Sequence, residues 1–227
     1  MILTGNIEIE GGLLFGWAAI DIAGFARASG MDTYDSVRTR VNGHPDVYGM
    51  FPSVDLAADI LTPGEGQIKA LALVGANPVI SSAGGGPDLE QALNHLEVSF
   101  ALDLYINETN KHADYVLPVA HFYEREDLPL GPLANMLRPA IWATDAVIEP
   151  PDGVRQEWQI LNEIARRMGH GGAYPVRPLR WLAKLGYQVK PRQILDIMIR
   201  TSEVGDRFGL RRNGISFKKL VRDYSHG

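Results

Sequence analysis

The sequence predicts an α/β fold: a parallel sheet flanked by helices, with a helical extension towards the carboxyl end. Three observations carry this prediction. Residues 67–118 alternate apolar runs of strand length with an amphipathic stretch and short links, the pattern of parallel pairing with right-handed crossovers. Residues 154–169 repeat apolar side chains with helical spacing. Residues 179–227 read as two or three short helices.

Each element has its own local reason. "IKALALVG" (68–75) is a run of small and β-branched apolar residues, read as a buried strand that stops abruptly at Gly75, Asn77 and Pro78. "SSAGGG" is a glycine-rich loop. "PDLEQALNHL" (87–96) opens with proline and acidic residues and repeats Leu89, Ala92, Leu93 and Leu96 on one face, which predicts a helix. "EVSFALDLYI" (97–106) reads as a second strand, "NETNKHA" as one turn or a short helix, and "DYVLPVA" (114–120) as a third short strand ended by Pro118.

Outside this region the signals are weaker. "GWAAIDIAGFARASG" (16–30) has one apolar helical face, with Gly30 placed to end it. "RTRVNGHPDVYGM" (38–50) is loop chemistry, because Asn42-Gly43 and His44-Pro45 both mark turns. "SVDLAADIL" predicts a helix with Ser53 as N-cap and Asp55 in its first turn. Residues 119–152 are irregular and proline-rich, a length usually tied to function or to something bound. In "VRQEWQILNEIARRMG" the inward set is Trp158, Leu161, Ile164, Ala165 and Met168, with Gly169 as the stop. Beyond it, Pro191 opens one helix and Ser216 caps another.

Composition excludes several classes. The 227 residues are 45% hydrophobic and 22% charged, enough to build a substantial core. A net charge of −5 with no basic block argues against a nucleic-acid partner. With no cysteine, the chain has no disulfide, no thiolate nucleophile and no cysteine ligand for zinc or for an iron–sulfur cluster. The most apolar stretch, residues 13–28, is broken by Asp21 and Arg27, so no membrane span is expected.

The familiar catalytic motifs are missing. There is no phosphate-binding Gly-x-x-x-x-Gly-Lys loop, and the three glycines at 84–86 have the wrong order for a dinucleotide fingerprint. The histidines lack metal-ligand spacing on a helix. His112 and His121 read as ordinary hydrogen-bonding residues, and "EREDL" (124–128) as a solvated loop.

The strand ends are more informative. Ligands of open parallel sheets sit beyond the carboxyl ends of the strands, here residues 75–78, 103–107 and 117–118. Asp103 ends a buried strand, where an unpaired carboxylate is costly. Its two oxygens can accept side by side from N1–H and N2–H₂ of a guanine, with Asn107 donating and accepting beside it. Equally, Asp103 can cap the following turn and Asn107 can serve as a helix N-cap.

The order of the pieces decides the reading. "TGNIEIEGG", "GHPDVYGMFP", "IKALALVGANPVIS", "LDLYINETNKHADYVLPVAHFYE" and "EWQILNEIARRMG" follow one another over nearly the whole chain. Together they resemble the molybdopterin oxidoreductases of the dimethyl sulfoxide reductase family. The specific part is Gly-x-Asn-Pro at one strand end, followed by Asp-x-x-x-Asn-Glu-Thr and Ala-Asp-x-x-Leu-Pro.

The resemblance implies a Rossmann-like domain that binds one molybdopterin guanine dinucleotide of a pair. Gly75, Asn77, Pro78 and Ser81 would lie against the cofactor. Asp103 and Asn107 would read its guanine, while Glu108, Thr109 and Asp114 hold the loop. Residues 1–170 would form the cofactor-binding α/β domain, and 171–227 a helical extension leading to a further domain.

The resemblance also sets expectations about what this chain lacks. No catalytic residue, molybdenum ligand or iron–sulfur cluster is expected in it; these belong to missing N- and C-terminal domains of the same enzyme, its expected partners. Electron-transfer subunits are further expected partners. The intact enzyme would use molybdenum to transfer two electrons or an oxygen atom, and this piece alone would be inactive. The alternative is a structural subunit or interaction module that keeps the fold without a pterin. A cytoplasmic location is expected, with any export signal lying upstream. Surfaces that meet the absent domains would be apolar, with Phe15, Trp17 and the loop 128–137 as candidates.

Overall fold

The computed structural model describes residues 2–14, 16, 20–128, 141–174 and 176–224. The chain divides into two compact units. One comprises Ser29–Arg125 and Ala146–Pro175; the other comprises Met1–Ala28, Glu126–Asp145 and Val176–Gly227.

The first unit is built on three parallel strands in sequence order: β3 (Ala70–Val74), β4 (Val98–Asp103) and β5 (Tyr115–Pro118). Ala70 pairs with Val98 and Val74 with Leu102; Phe100 pairs with Tyr115 and Asp103 with Pro118. This is the parallel order the sequence predicts. The crossover from β3 to β4 carries α3 (Pro78–Ser81) and α4 (Pro87–Leu93). The link from β4 to β5 contains only a 3-10 turn, Asn110–His112.

The core of this unit lies between helices and sheet. Ala57 and Ile60 of α2 (Leu56–Leu61) pack with Val79 of α3 and with Leu89, Ala92 and Leu93 of α4, over Ile68 and Leu71. Central β4 buries Ser99, Ala101 and Leu102. β3 departs from the fully buried strand expected: Leu73 is buried, but Ala70, Ala72 and Val74 are exposed. It is an edge strand, paired on one side only.

A second departure is the stretch expected to be a loop. β1 (Tyr34–Arg38) and β2 (Pro45–Val47) form an antiparallel ribbon. β1 has no apolar alternation to betray it, and all five of its residues are exposed. A buried carboxylate organises it instead: Asp46 Oδ1 accepts the Ser36 and Val37 amides at 2.8 and 2.9 Å. The next helix also starts differently. A 3-10 turn, Ser53–Asp55, precedes α2, and Ser53 makes no capping bond. α5 (Glu157–Arg167) closes the unit, with Asn162 buried and its Oδ1 accepting the Ala173 amide at 2.7 Å. Met168 was expected inward but is 68% exposed, because it lies past the last full turn.

The second unit holds α1 (Ile22–Ala28), α6 (Arg177–Lys184), α7 (Pro191–Thr201) and α8 (Phe217–Tyr224). α1 is shorter than the 16–30 helix expected, and Trp17 to Ala19 lie outside the described residues. Ile20, Leu195 and Ile199 form its core, with Ile215, Phe217 and Leu220 packed against them. Pro191 opens α7 as expected, and the Ser216 hydroxyl accepts the Lys219 amide at 3.3 Å as an N-cap. Of the apolar candidates for an uncovered surface, Phe15, Trp17 and 129–137 lie outside the described residues. Leu128 packs against the core cluster instead of facing outward. No described helix is long and apolar enough to cross a membrane.

Candidate functional site

The carboxyl ends of β3 and β4 carry all six candidate residues. At the first, β3 runs into Gly75 in the left-handed region (φ 53°), whose amide donates to Leu102 O at 2.9 Å. Asn77 then precedes Pro78, the first residue of α3. The Ser81 hydroxyl donates to Asn77 O at 2.8 Å, closing the turn. Gly75 and Ser81 are exposed, and Asn77 and Pro78 half-buried.

At the second strand end, Asp103 is the hub. Its Oδ1 accepts the Leu104 amide at 2.7 Å. Its Oδ2 accepts from Asn107 Nδ2 at 3.0 Å and from Asn110 Nδ2 at 3.1 Å. Asn107 Oδ1 in turn accepts the Thr109 and Asn110 amides at 3.0 and 2.9 Å. The loop from 103 to 110 is therefore wound around two side chains, Asp103 and Asn107, which are both half-buried.

The two strand ends are tied together. The Thr109 hydroxyl donates to Asn77 Oδ1 at 2.6 Å and accepts the Val79 amide at 3.0 Å. Asn77 Nδ2 donates to Glu108 Oε2 at 2.6 Å. That bond is the main reason the Glu108 carboxyl sits below the usual carboxylate range. Asp114 accepts the Ser99 amide at 2.7 Å and anchors the start of β5.

One site residue escaped the sequence reading. Asn110 is fully buried, and its side chain reaches Asp103, Tyr105 O at 2.8 Å and the Asn107 amide at 2.7 Å. Its only sequence signal was a third amide or acid in the short run 107–110.

Other candidate groups are occupied elsewhere. His112 lies between Glu90 Oε1 at 3.0 Å and Asn94 Oδ1 at 3.1 Å. In the loop 124–128, Glu124 accepts the His121 amide at 2.9 Å, and Glu126 pairs with the Arg192 guanidinium at 2.8 Å. The described residues contain no cluster of three or more His, Cys, Asp or Glu able to hold a metal ion.

A left-handed glycine at one strand end and a carboxylate held by amide donors at the next lie beyond adjacent parallel strands, where ligands of open α/β sheets sit. Comparison with known proteins specifies the class. The family model for molybdopterin oxidoreductase matches residues 1–167. The chain is 33% identical over 163 residues to the F420-dependent formate dehydrogenase subunit alpha of Methanocaldococcus jannaschii, covering 70% of this chain and 20% of that protein. It is 33% identical over 107 residues to the assimilatory nitrate reductase catalytic subunit of Bacillus subtilis, covering 47% and 14%. It is 32% identical over 88 residues to the thiosulfate reductase molybdopterin-containing subunit PhsA of Salmonella typhimurium, covering 39% and 11%.

This chain belongs to the molybdopterin oxidoreductase family. It spans one-fifth or less of the length of these relatives.

The residues present leave backbone and acceptor groups open to a cofactor at this site. A Cβ built on Gly75 would meet nothing within 4 Å, so the strand-end backbone is open to close approach. Among the described residues, Asp103 Oδ1 accepts one donor, the Leu104 amide, and has a second lone pair to offer.

Proposed function

We propose that this chain is part of a molybdopterin-dependent oxidoreductase, in which the ends of β3 and β4 bind the guanine dinucleotide end of one cofactor of a pair. The observation that carries this is the direct bonding of Asn77 to Glu108 and Thr109, which joins the two family motifs into one surface. Gly75 and Pro78 give the ligand an open backbone, and Ser81 offers its hydroxyl oxygen. Asp103 accepts from the guanine through Oδ1. Asn107 gives its Oδ1 to the loop amides and one N–H to Asp103, which leaves its second N–H for the guanine beside that carboxylate.

When bound, the molybdenum cofactor supplies two-electron or oxygen-atom transfer. This chain contributes binding and orientation. The rest of the enzyme, including the metal ligand and the domains covering the other pterin, is its partner, and electron-transfer subunits would act on that assembly. The chain alone is expected to reduce no viologen-coupled acceptor above a metal-free control.

The test uses a full-length relative carrying the change equivalent to Asp103→Ala. A hydrogen bond to a charged group contributes about 1.5–3 kcal/mol, so cofactor content should fall. Content is read as the fluorescence of oxidised pterin released from the purified protein, with molybdenum measured alongside. Unchanged pterin and metal occupancy would remove Asp103 from the site.

A second reading rests on the same loop. Asp103 and Asn107 satisfy one another and the turn between them, which a purely structural subunit also needs. Wild-type chain that assembles with its partner domains yet releases no pterin would favour that reading.

A further inference from the structure

The Asp103 loop fixes the direction of both its asparagine side chains. Asn110 Oδ1 accepts the Asn107 amide at 2.7 Å, and Asn110 Nδ2 donates to Tyr105 O at 2.8 Å. A backbone N–H only donates and a carbonyl only accepts, so this fully buried carboxamide has one possible orientation. That orientation turns the other Nδ2 hydrogen to Asp103 Oδ2 at 3.1 Å. Asn107 is set in the same way. Its Oδ1 takes the Thr109 and Asn110 amides, which leaves its Nδ2 against the same Asp103 oxygen at 3.0 Å.

A carboxylate offers about four lone-pair sites, shared equally by its two oxygens. Oδ2 gives both of its own to Asn107 and Asn110, and Oδ1 gives one to the Leu104 amide at 2.7 Å. Among the described residues this leaves a single acceptor site, on Oδ1. The base-pairing edge of guanine presents N2–H₂, N1–H and O6 in that order. Side-by-side acceptance from N1–H and N2–H₂ needs a free lone pair on each oxygen, and Oδ2 has none. The second Asn107 N–H matches O6, the neighbour of N1–H on the other side.

We propose that Asn110 is a positioning residue that sets the base preference: by filling Oδ2 it confines Asp103 to one bond, from purine N1–H, and leaves the 2-amino group unread. The site then takes a hypoxanthine nucleotide as readily as a guanine one, because the two bases share N1–H and O6 and differ only in the 2-amino group. Adenine is rejected, since its N1 carries a lone pair and would meet the Oδ1 lone pair with no proton between them. This preference rests on the reading above that Asp103 meets the nucleotide base.

The test titrates the full chain with guanosine, inosine and adenosine monophosphates, following the side-chain amide resonances of Asn107 and Asn110. The wild-type chain should bind the guanosine and inosine nucleotides within about twofold of each other, and the adenosine nucleotide at least about tenfold more weakly. Asn110→Ala frees a lone pair on Oδ2 for N2–H. It should open a guanosine preference over inosine of about tenfold, the worth of one hydrogen bond to a charged group. A merely structural role for Asn110 would weaken all three nucleotides together and leave that ratio unchanged, which overturns the proposal. So does a guanosine preference of about tenfold in the wild-type chain, whether or not the variant folds, although Asp103 then stays the base reader. Failure of all three nucleotides to bind, or equal binding of the adenosine nucleotide, overturns the strand-end reading of Asp103 itself and the proposal with it.

Discussion

Asn77 and Thr109 stand 32 positions apart, yet the threonine hydroxyl donates to the asparagine carboxamide across 2.6 Å. The same hydroxyl accepts the Val79 amide at 3.0 Å, and Thr109 is fully buried. One side chain thus joins the end of β3, the first turn of α3 and the loop after β4.

Thr109→Val keeps the shape and removes the hydroxyl. It strands the Val79 N–H and the Asn77 oxygen, and a buried group left unsatisfied costs about 1–3 kcal/mol. Urea unfolding should report a loss in that range. Thr109→Ser keeps both bonds and should lose only about 1 kcal/mol, for one buried methyl. Equal losses in the two variants would show that packing, not the hydroxyl, sets the cost.

Asn110 makes a sharper test of how the Asp103 loop is held. Asn110→Ala removes the donors to Asp103 and Tyr105 O, for about 1–3 kcal/mol. Asn110→Asp sets a second carboxylate against Asp103 Oδ2, and an uncompensated buried charge costs on the order of 3–5 kcal/mol. Like charge raises the folded pKa of the pair, so the extra penalty is present at neutral pH and relieved as pH falls through that raised value. Denaturant midpoints of the two variants, compared at pH 7 and pH 5, should converge at the lower pH. A constant gap would mean that the new carboxylate escapes to solvent.

The parallel sheet was legible because β3, β4 and β5 are written as apolar runs closed by Gly75, Asp103 and Pro118, and α4 has a proline start and one apolar face. The β1–β2 ribbon was not. Its register comes from Asp46 accepting backbone amides, a contact that leaves no hydrophobic period in the sequence. Asp55 misled for a related reason: a carboxylate at a helix start reads as a dipole partner, whereas here it is buried by Thr39, Asn42 and His44 from the preceding ribbon. At the strand ends the motif residues were identifiable, but not the bonds that couple them. Asn110 was hidden because an asparagine in a short polar loop looks the same whether it faces solvent or a carboxylate.

The glycine run 84–86 gives a third prediction. Its order is wrong for a dinucleotide fingerprint, and packing accounts for Gly85. A Cβ there would collide with the carbonyl oxygens of Pro78 and Val79. Gly85→Ala should therefore force α3 and the loop apart, with overpacking costing about 1–3 kcal/mol. Gly75→Ala meets open space and bears only the left-handed backbone penalty, about 1 kcal/mol. Thermal unfolding should rank Gly85→Ala well below Gly75→Ala. The reverse order would mean that the turn after β3 is the tighter constraint.

Acid should loosen the β1–β2 ribbon first. Asp46 is held below the usual carboxylate range by the Thr33 hydroxyl, with the Val37 and Ser36 amides adding to it; burial pushes Asp55 up, but hydrogen bonds from Thr39, Asn42 and His44 outweigh it and hold it below that range too. A carboxylate whose folded pKa is depressed contributes its full stability above the unfolded value, about 3.9, and loses it as pH falls through the folded value. Stability should then be level across neutral pH and decline below about pH 4, where the unfolded chain takes up protons that the folded chain refuses. The Ser36 and Val37 amides, bonded to Asp46, should lose protection from hydrogen exchange in the same range. Asp55→Asn cannot titrate. It should cost about 1–3 kcal/mol at pH 7, because one carboxamide cannot accept from Thr39, Asn42 and His44 as a carboxylate does. Its acid limb should also be flatter than the wild type's by one carboxylate's share. An Asp55→Asn variant that is weaker at pH 7 yet declines just as steeply in acid would assign the acid sensitivity to other groups, with Asp46 the next to replace.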